Sequence, residues 1–236
     1  AQLIKADDGF HLWAKDYDRQ LKDVFAVQDD VSNAIVQALK VKLPVSLQHS
    51  MVATAPKNPE AYDLYLRGNF FLHKSDQASL NRALNYFQKS IEKDRSYAPS
   101  YAGVANAYAV LADAYLPPKD AYPKAKSAAL KALELDSTIA EAHAALAFIL
   151  GAYERDQLSS QREFRRAMEF NPNSVDVLWL SAIYLGNRTG SAEAIAQADR
   201  AIVLDPLNPF ASWAKEQVLY RARQYDEMIE QQKRTV

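Results

Sequence analysis

Apolar and polar positions change rhythm twice along the chain. Over residues 1–20 they alternate: Ala1-Gln2-Leu3-Ile4-Lys5-Ala6 and Phe10-His11-Leu12-Trp13-Ala14-Lys15 are strand-like runs joined by Asp7-Asp8-Gly9. An Asp-Gly pair between such runs marks a hairpin turn, because glycine accepts positive φ. From about Leu21 to Leu43 the spacing becomes helical, with Val24, Val27, Val31, Ile35 and Leu39 on one face. Pro44 closes that helix, and residues 46–58, ending Ala55-Pro56-Lys57-Asn58, carry no period and read as a linker.

After Asn58 the pattern stays helical and repeats. Ala132-Leu133-Glu134-Leu135-Asp136-Ser137, Ala167-Met168-Glu169-Phe170-Asn171-Pro172 and Ala201-Ile202-Val203-Leu204-Asp205-Pro206 are copies of one segment, 35 and 34 residues apart. A diverged copy, Ser90-Ile91-Glu92-Lys93-Asp94-Arg95, precedes them by 42. This period and ending resemble the tetratricopeptide repeat, whose unit is a helix–turn–helix. The resemblance implies a mainly α, right-handed solenoid of four to five helical hairpins over residues 59–236. Its repeats fall at about 59–97, 98–139, 140–174, 175–208 and a partial 209–236, preceded by the β-hairpin and amphipathic helix of residues 1–45. Aligned on the repeat, small residues of helix A fall at Gly68, Ala105, Ala147 and Ala182, and the large residues one turn on are Phe71, Tyr108, Leu150 and Leu185. Helix B supplies Ala83, Ala125, Ser160 and Ala194, then Phe87, Ala129, Phe164 and Ala198. Small residues suit helix crossings and large ones fill the space beside them. The proline of the Leu-Asp-Pro ending is expected to stop helix B. The first repeat has about three extra residues around Ser75-Asp76-Gln77. The second has about eight in Ala114–Ala121, where Pro117-Pro118 makes a stiff loop or a helix extension. The last unit reads as cut short, or as a polar cap with Glu227, Glu230, Lys233 and Arg234.

A second resemblance covers the start of the chain. Ala1-Gln2-Leu3-Ile4, Asp8-Gly9-Phe10-His11-Leu12-Trp13, Tyr17-Asp18-Arg19 and Asp23-Val24-Phe25-Ala26-Val27-Gln28-Asp29 resemble the end of a TolB N-terminal-like domain. Asn58-Pro59-Glu60-Ala61-Tyr62-Asp63-Leu64-Tyr65-Leu66-Arg67-Gly68 resembles the first repeat of the same bacterial proteins. Many of those carry an upstream effector: a nucleotide cyclase, a serine/threonine kinase or a winged-helix domain. The resemblance implies no catalytic residue here. With Ala1 in place of an initiator methionine, the chain reads as a fragment of such a protein.

Composition narrows the function. A net charge of −1 over 236 residues supplies no field to gather nucleic acid or an anionic membrane. No stretch approaches the roughly 20 apolar residues of a membrane helix. The absence of cysteine removes disulfides, thiolate metal sites and a cysteine nucleophile, and fits a cytoplasmic protein. A periplasmic one stays open if a membrane helix lies upstream.

Candidate chemistry is sparse. Gly186-Asn187-Arg188-Thr189-Gly190 lacks the Lys-Ser/Thr of a phosphate loop and reads as a turn between helices. His11, His49, His73 and His143 lack the spacing of a helical zinc site, and His143 takes a packing position. Asp7-Asp8 and Asp29-Asp30 lack the further oxygen ligands calcium needs. Arg162, Arg165 and Arg166 beside Glu163 form a solvated face with local ion pairs. No cofactor, metal or catalytic residue is expected, and the chain reads as no enzyme.

The groove is the candidate. The repeat resemblance places Tyr62, Tyr65, Asn69 and His73 on the inner side of helix A in the first unit, and Asn106 in the second. Glu141 and Phe148 follow in the third, Asp176, Trp179, Ile183 and Asn187 in the fourth, and Trp213, Gln217 and Arg221 in the fifth. Aromatic rings beside amides suit a peptide or protein ligand. Some of these rings can equally pack against the N-terminal segment or the insertion. The carboxylate clamp of chaperone-binding repeats is not expected, since Tyr65, Glu141 and Ala145 stand at its positions, although Asn69 is in place. The alternative is an oligomerisation element in which residues 1–45 pair two chains as a homodimer and the repeats are structural.

Overall fold

The computed structural model describes residues 2–4, 11–14, 31, 58–74, 76–189 and 192–235. The chain divides into two units, Ala1–Pro59 and Glu60–Val236. In the first, strands β1 (Gln2–Ile4) and β2 (His11–Ala14) pair antiparallel, Leu3 opposite Trp13 and Ile4 opposite His11, with an irregularity between Leu3 and Ile4. The Asp7-Asp8-Gly9 turn, the helix over Leu21–Leu43 and the linker lie outside the described residues.

The second unit is ten helices in five antiparallel hairpins: α1 (Pro59–Leu72) and α2 (Gln77–Lys93), α3 (Ala98–Ala114) and α4 (Pro118–Leu135), α5 (Ala140–Ala152) and α6 (Gln157–Phe170), α7 (Val175–Thr189) and α8 (Ala192–Leu204), α9 (Pro209–Arg221) and α10 (Tyr225–Thr235). Helices α3, α5, α7 and α9 pack side by side as an inner layer, and α4, α6 and α8 each lie between their own partner and the next inner helix. Small residues permit this. Ala105, Ala147, Ala182, Ala125, Ala194 and Ala198 are fully buried at the crossings. Helix α5 is apolar on nearly every face, as befits a helix packed on all sides.

Phe87 is the wedge of the first hairpin. Its fully buried ring sits between Gly68 of α1 and Gly103 of α3, where a Cβ would approach ring carbons to 2.4 and 2.5 Å. Where helix B offers serine instead of alanine, the hydroxyl is satisfied by a helix A carbonyl. Ser90 Oγ donates to the Ala61 carbonyl at 2.6 Å and Ser160 Oγ to that of Ala147 at 2.7 Å.

One turn recurs after α2, α4, α6 and α8. The side chains of Asp94, Asp136, Asn171 and Asp205 accept the backbone N–H two residues on, at 2.9, 2.9, 3.2 and 3.2 Å. These are Asx turns, which compete with further helix. The proline expected to stop helix B is therefore not the cause, because the turns after Asp94 and Asp136 form without it. Gly186 is also not in a turn. It lies inside α7, where a Cβ would come within 2.8 Å of Val218, and its smallness lets α9 approach. The insertion lengthens both helices of its hairpin to 17 and 18 residues, against 13 and 14 in α5 and α6, with Pro117 and Pro118 starting α4.

Candidate functional site

Three sequence-expected residues meet in one place. Phe148 of α5, Trp179 of α7 and Trp213 of α9 line a pocket of about 350 Å³, closed by Ala109, Val110 and Asp113 of α3, by Tyr115 beyond it, and by Pro209 and Phe210. Trp179 is 5% exposed and stacks on Phe210 at 5.1 Å, while Trp213, 37% exposed, meets it edge-on at 6.5 Å. Trp179 is fixed further by its indole N–H, which donates to Asp176 Oδ1 at 3.1 Å. The alternation of buried and accessible rings gives a rigid floor with an open wall.

A second group gathers around Tyr65. Its ring lies edge-on to Tyr97 at 5.4 Å and stacks on Tyr62 at 6.5 Å, so much of it is engaged within the first hairpin and the following turn. Burial pushes its hydroxyl well above the usual tyrosine range, opposed by a hydrogen bond to Asn69 and reinforced by the charges of Glu141 and Asp176. Glu141 accepts a hydrogen bond from Ser174 Oγ at 2.6 Å, yet burial still raises its carboxyl above the ordinary value. His73 stands 3.8 Å from Asp176 and 6.3 Å from the Phe210 ring, so the first hairpin touches the fourth and fifth. Asn106 is 6% exposed, and its side-chain carbonyl oxygen has no donor among the described residues.

Other expected residues lie elsewhere. Ile183 is buried in the main apolar cluster and does not line the pocket. Asn187 and Arg221 are exposed, Gln217 is half-buried, and none of the three lines the pocket. His143 packs: Nε2 donates to the Ser137 carbonyl at 2.9 Å, Nδ1 meets Glu163 at 2.6 Å, and the ring stacks on Phe170. Arg166 pairs with Glu163 at 3.1 Å and Arg162 donates to Ser159. Among the described residues no group of three or more His, Asp or Glu could hold a metal ion.

Asp113, Tyr115 and Phe210 escaped the sequence reading. Asp113 was detectable: it stands seven residues after Asn106 on the same helix, hence on the same face. Tyr115 belongs to the insertion, which alignment to a repeat leaves without a role. Phe210 opens α9, where Asn208 caps the helix by accepting the N–H groups of Phe210 and Ala211 at 3.0 and 3.3 Å.

No family model matches the chain. A curated protein named "Putative adenylate cyclase 3", from Rhizobium meliloti (strain 1021), is 37% identical over 105 residues. That stretch is 44% of this chain and 18% of the relative's length. Among solved structures, YrrB, described as a TPR protein with an unusual peptide-binding site, is similar over 81% of this chain and 91% of its own, at 21% identity and a TM-score of 0.41. A chain of the APC/C hetero-tetramer Cut9–Hcn1 is similar over 92% of this chain and 43% of its own, at 16% identity and a TM-score of 0.50. The likeness to that chain is one of fold alone, a mainly helical array.

Proposed function

We propose that the inner layer of the repeats is a non-catalytic docking groove for an extended peptide segment of a protein partner. The observation that carries this reading is the pocket in which Phe148, Trp179 and Trp213, from three successive hairpins, converge. Rings of this kind bury area at small entropic loss and serve as anchors in interfaces. Asn106 lies one to two turns before Ala109, Val110 and Asp113 on the same helix face, its side-chain carbonyl oxygen buried beneath the groove. The similarity of 105 residues to a cyclase-named bacterial protein supports placing this groove in the regulatory or sensory region of a larger signalling protein.

Trp213→Ala is the informative substitution, since Trp213 is accessible whereas truncating the buried Trp179 would open a cavity in the fold. Partners captured from bacterial lysate by the wild-type chain are expected to be lost from the folded Trp213→Ala variant. Identical partner sets for the two proteins would remove the groove from consideration.

A further inference from the structure

Asp113 is placed against the grain of its helix. It occupies the last turn of α3, where unpaired carbonyl groups disfavour a negative charge, and no basic residue shares that turn. Among the described residues its carboxylate forms no ion pair, and the titratable group it acts on is the Tyr122 hydroxyl, which is no cation. The side chain reaches solvent at the pocket rim, yet the surrounding atoms desolvate it enough to hold its carboxyl above the usual range. A neutral residue would suit the end of the helix better. Aromatic walls attract cations through the negative faces of their rings, and a carboxylate at the rim supplies the counter-charge. An apolar occupant would leave the carboxylate desolvated and unpaired, which is the least favourable outcome for a charge.

We propose that the pocket receives a lysine or arginine side chain of the partner peptide, the aliphatic stem lying against Phe148, Trp179 and Trp213 and the cationic head pairing with Asp113. This rests on the groove reading above and specifies what the groove selects. The volume of about 350 Å³ admits a long side chain and is too small for a folded element.

The test is selection of a random-peptide display library on the intact chain, followed by affinity measurement with fluorescently labelled peptides. Enriched peptides are expected to share a lysine or arginine at one fixed position. Exchanging it for norleucine should weaken binding about tenfold. Asp113→Asn should erase that lysine-over-norleucine preference while leaving the thermal midpoint unchanged or higher, which a structural aspartate would not allow. A preference that survives Asp113→Asn overturns the proposal. So do enriched peptides without a basic residue; if these are still lost on Trp213→Ala, the groove stands and only the cation pocket falls. A selection that yields no groove-dependent peptide overturns both.

Discussion

At the scale of single residues, size decides more than polarity. Ala182 of α7 is fully buried against Ala194 and Ala198 of α8 and Val218 of α9, a cluster of small side chains flanked by Leu185 and Ile195. Ala182→Leu has no void to fill and must push α8 or α9 away, at roughly 1–3 kcal/mol. A urea titration of the variant should show that loss as a lower midpoint; an unchanged midpoint would mean the crossing is looser than the contacts imply. Polar residues at equally buried positions are tolerated only with a partner. Ser90 and Ser160 each find a carbonyl, and His143 finds a carbonyl on one nitrogen and a carboxylate on the other. Because the carbonyl can only accept, Nε2 is the donor to it. The pair is a staple between α5 and α6 rather than a ligand set.

At the scale of elements, the hairpin is the unit, and Phe87 shows how one unit is joined to the next. Its ring is gripped by glycines of α1 and α3 while belonging to α2, so it seals the first hairpin and its contact with the second. Phe87→Ala should cost about 3–5 kcal/mol and should release the first hairpin ahead of the rest. Hydrogen exchange followed along the chain would then show fast amides confined to α1 and α2, whereas uniform acceleration would contradict the wedge. Such elements were largely legible in the sequence, because a 34-residue spacing of small and large residues follows directly from helices crossing at fixed intervals. The stops were misread, since proline is the conspicuous residue while the Asx side chain before it makes the turn. The pocket was only half legible. Phe148, Trp179 and Trp213 follow from the repeat register, but Tyr115 comes from residues outside any register, and Asp113 is recognisable only once its helix is known to end there.

At the scale of the whole repeat unit, the array departs from a chain of nearest neighbours. Stacked repeats ordinarily touch only the next in line, yet His73 at the end of α1 stands 3.8 Å from Asp176 of α7, three hairpins away. Asp176 is the main cause of a raised His73 pKa, with the charge of Asp205 adding to it and burial opposing. The folded chain therefore holds a proton on His73 that the unfolded chain releases more readily. The stabilisation this brings is complete below the unfolded-chain value of 6.5 and is lost as pH rises through the higher folded value. Both side chains keep contact with water, His73 at 37% exposure, so the pair contributes only about 0.2–1 kcal/mol. A double-mutant cycle of His73→Asn with Asp176→Asn isolates it, and asparagine at 176 retains the acceptor for the Trp179 indole. At about pH 5.5 the two substitutions should be less damaging together than the sum of each alone, and at about pH 8.5 they should add, since a neutral imidazole no longer attracts the carboxylate. Additivity at both values would mean that the first and fourth hairpins are energetically independent.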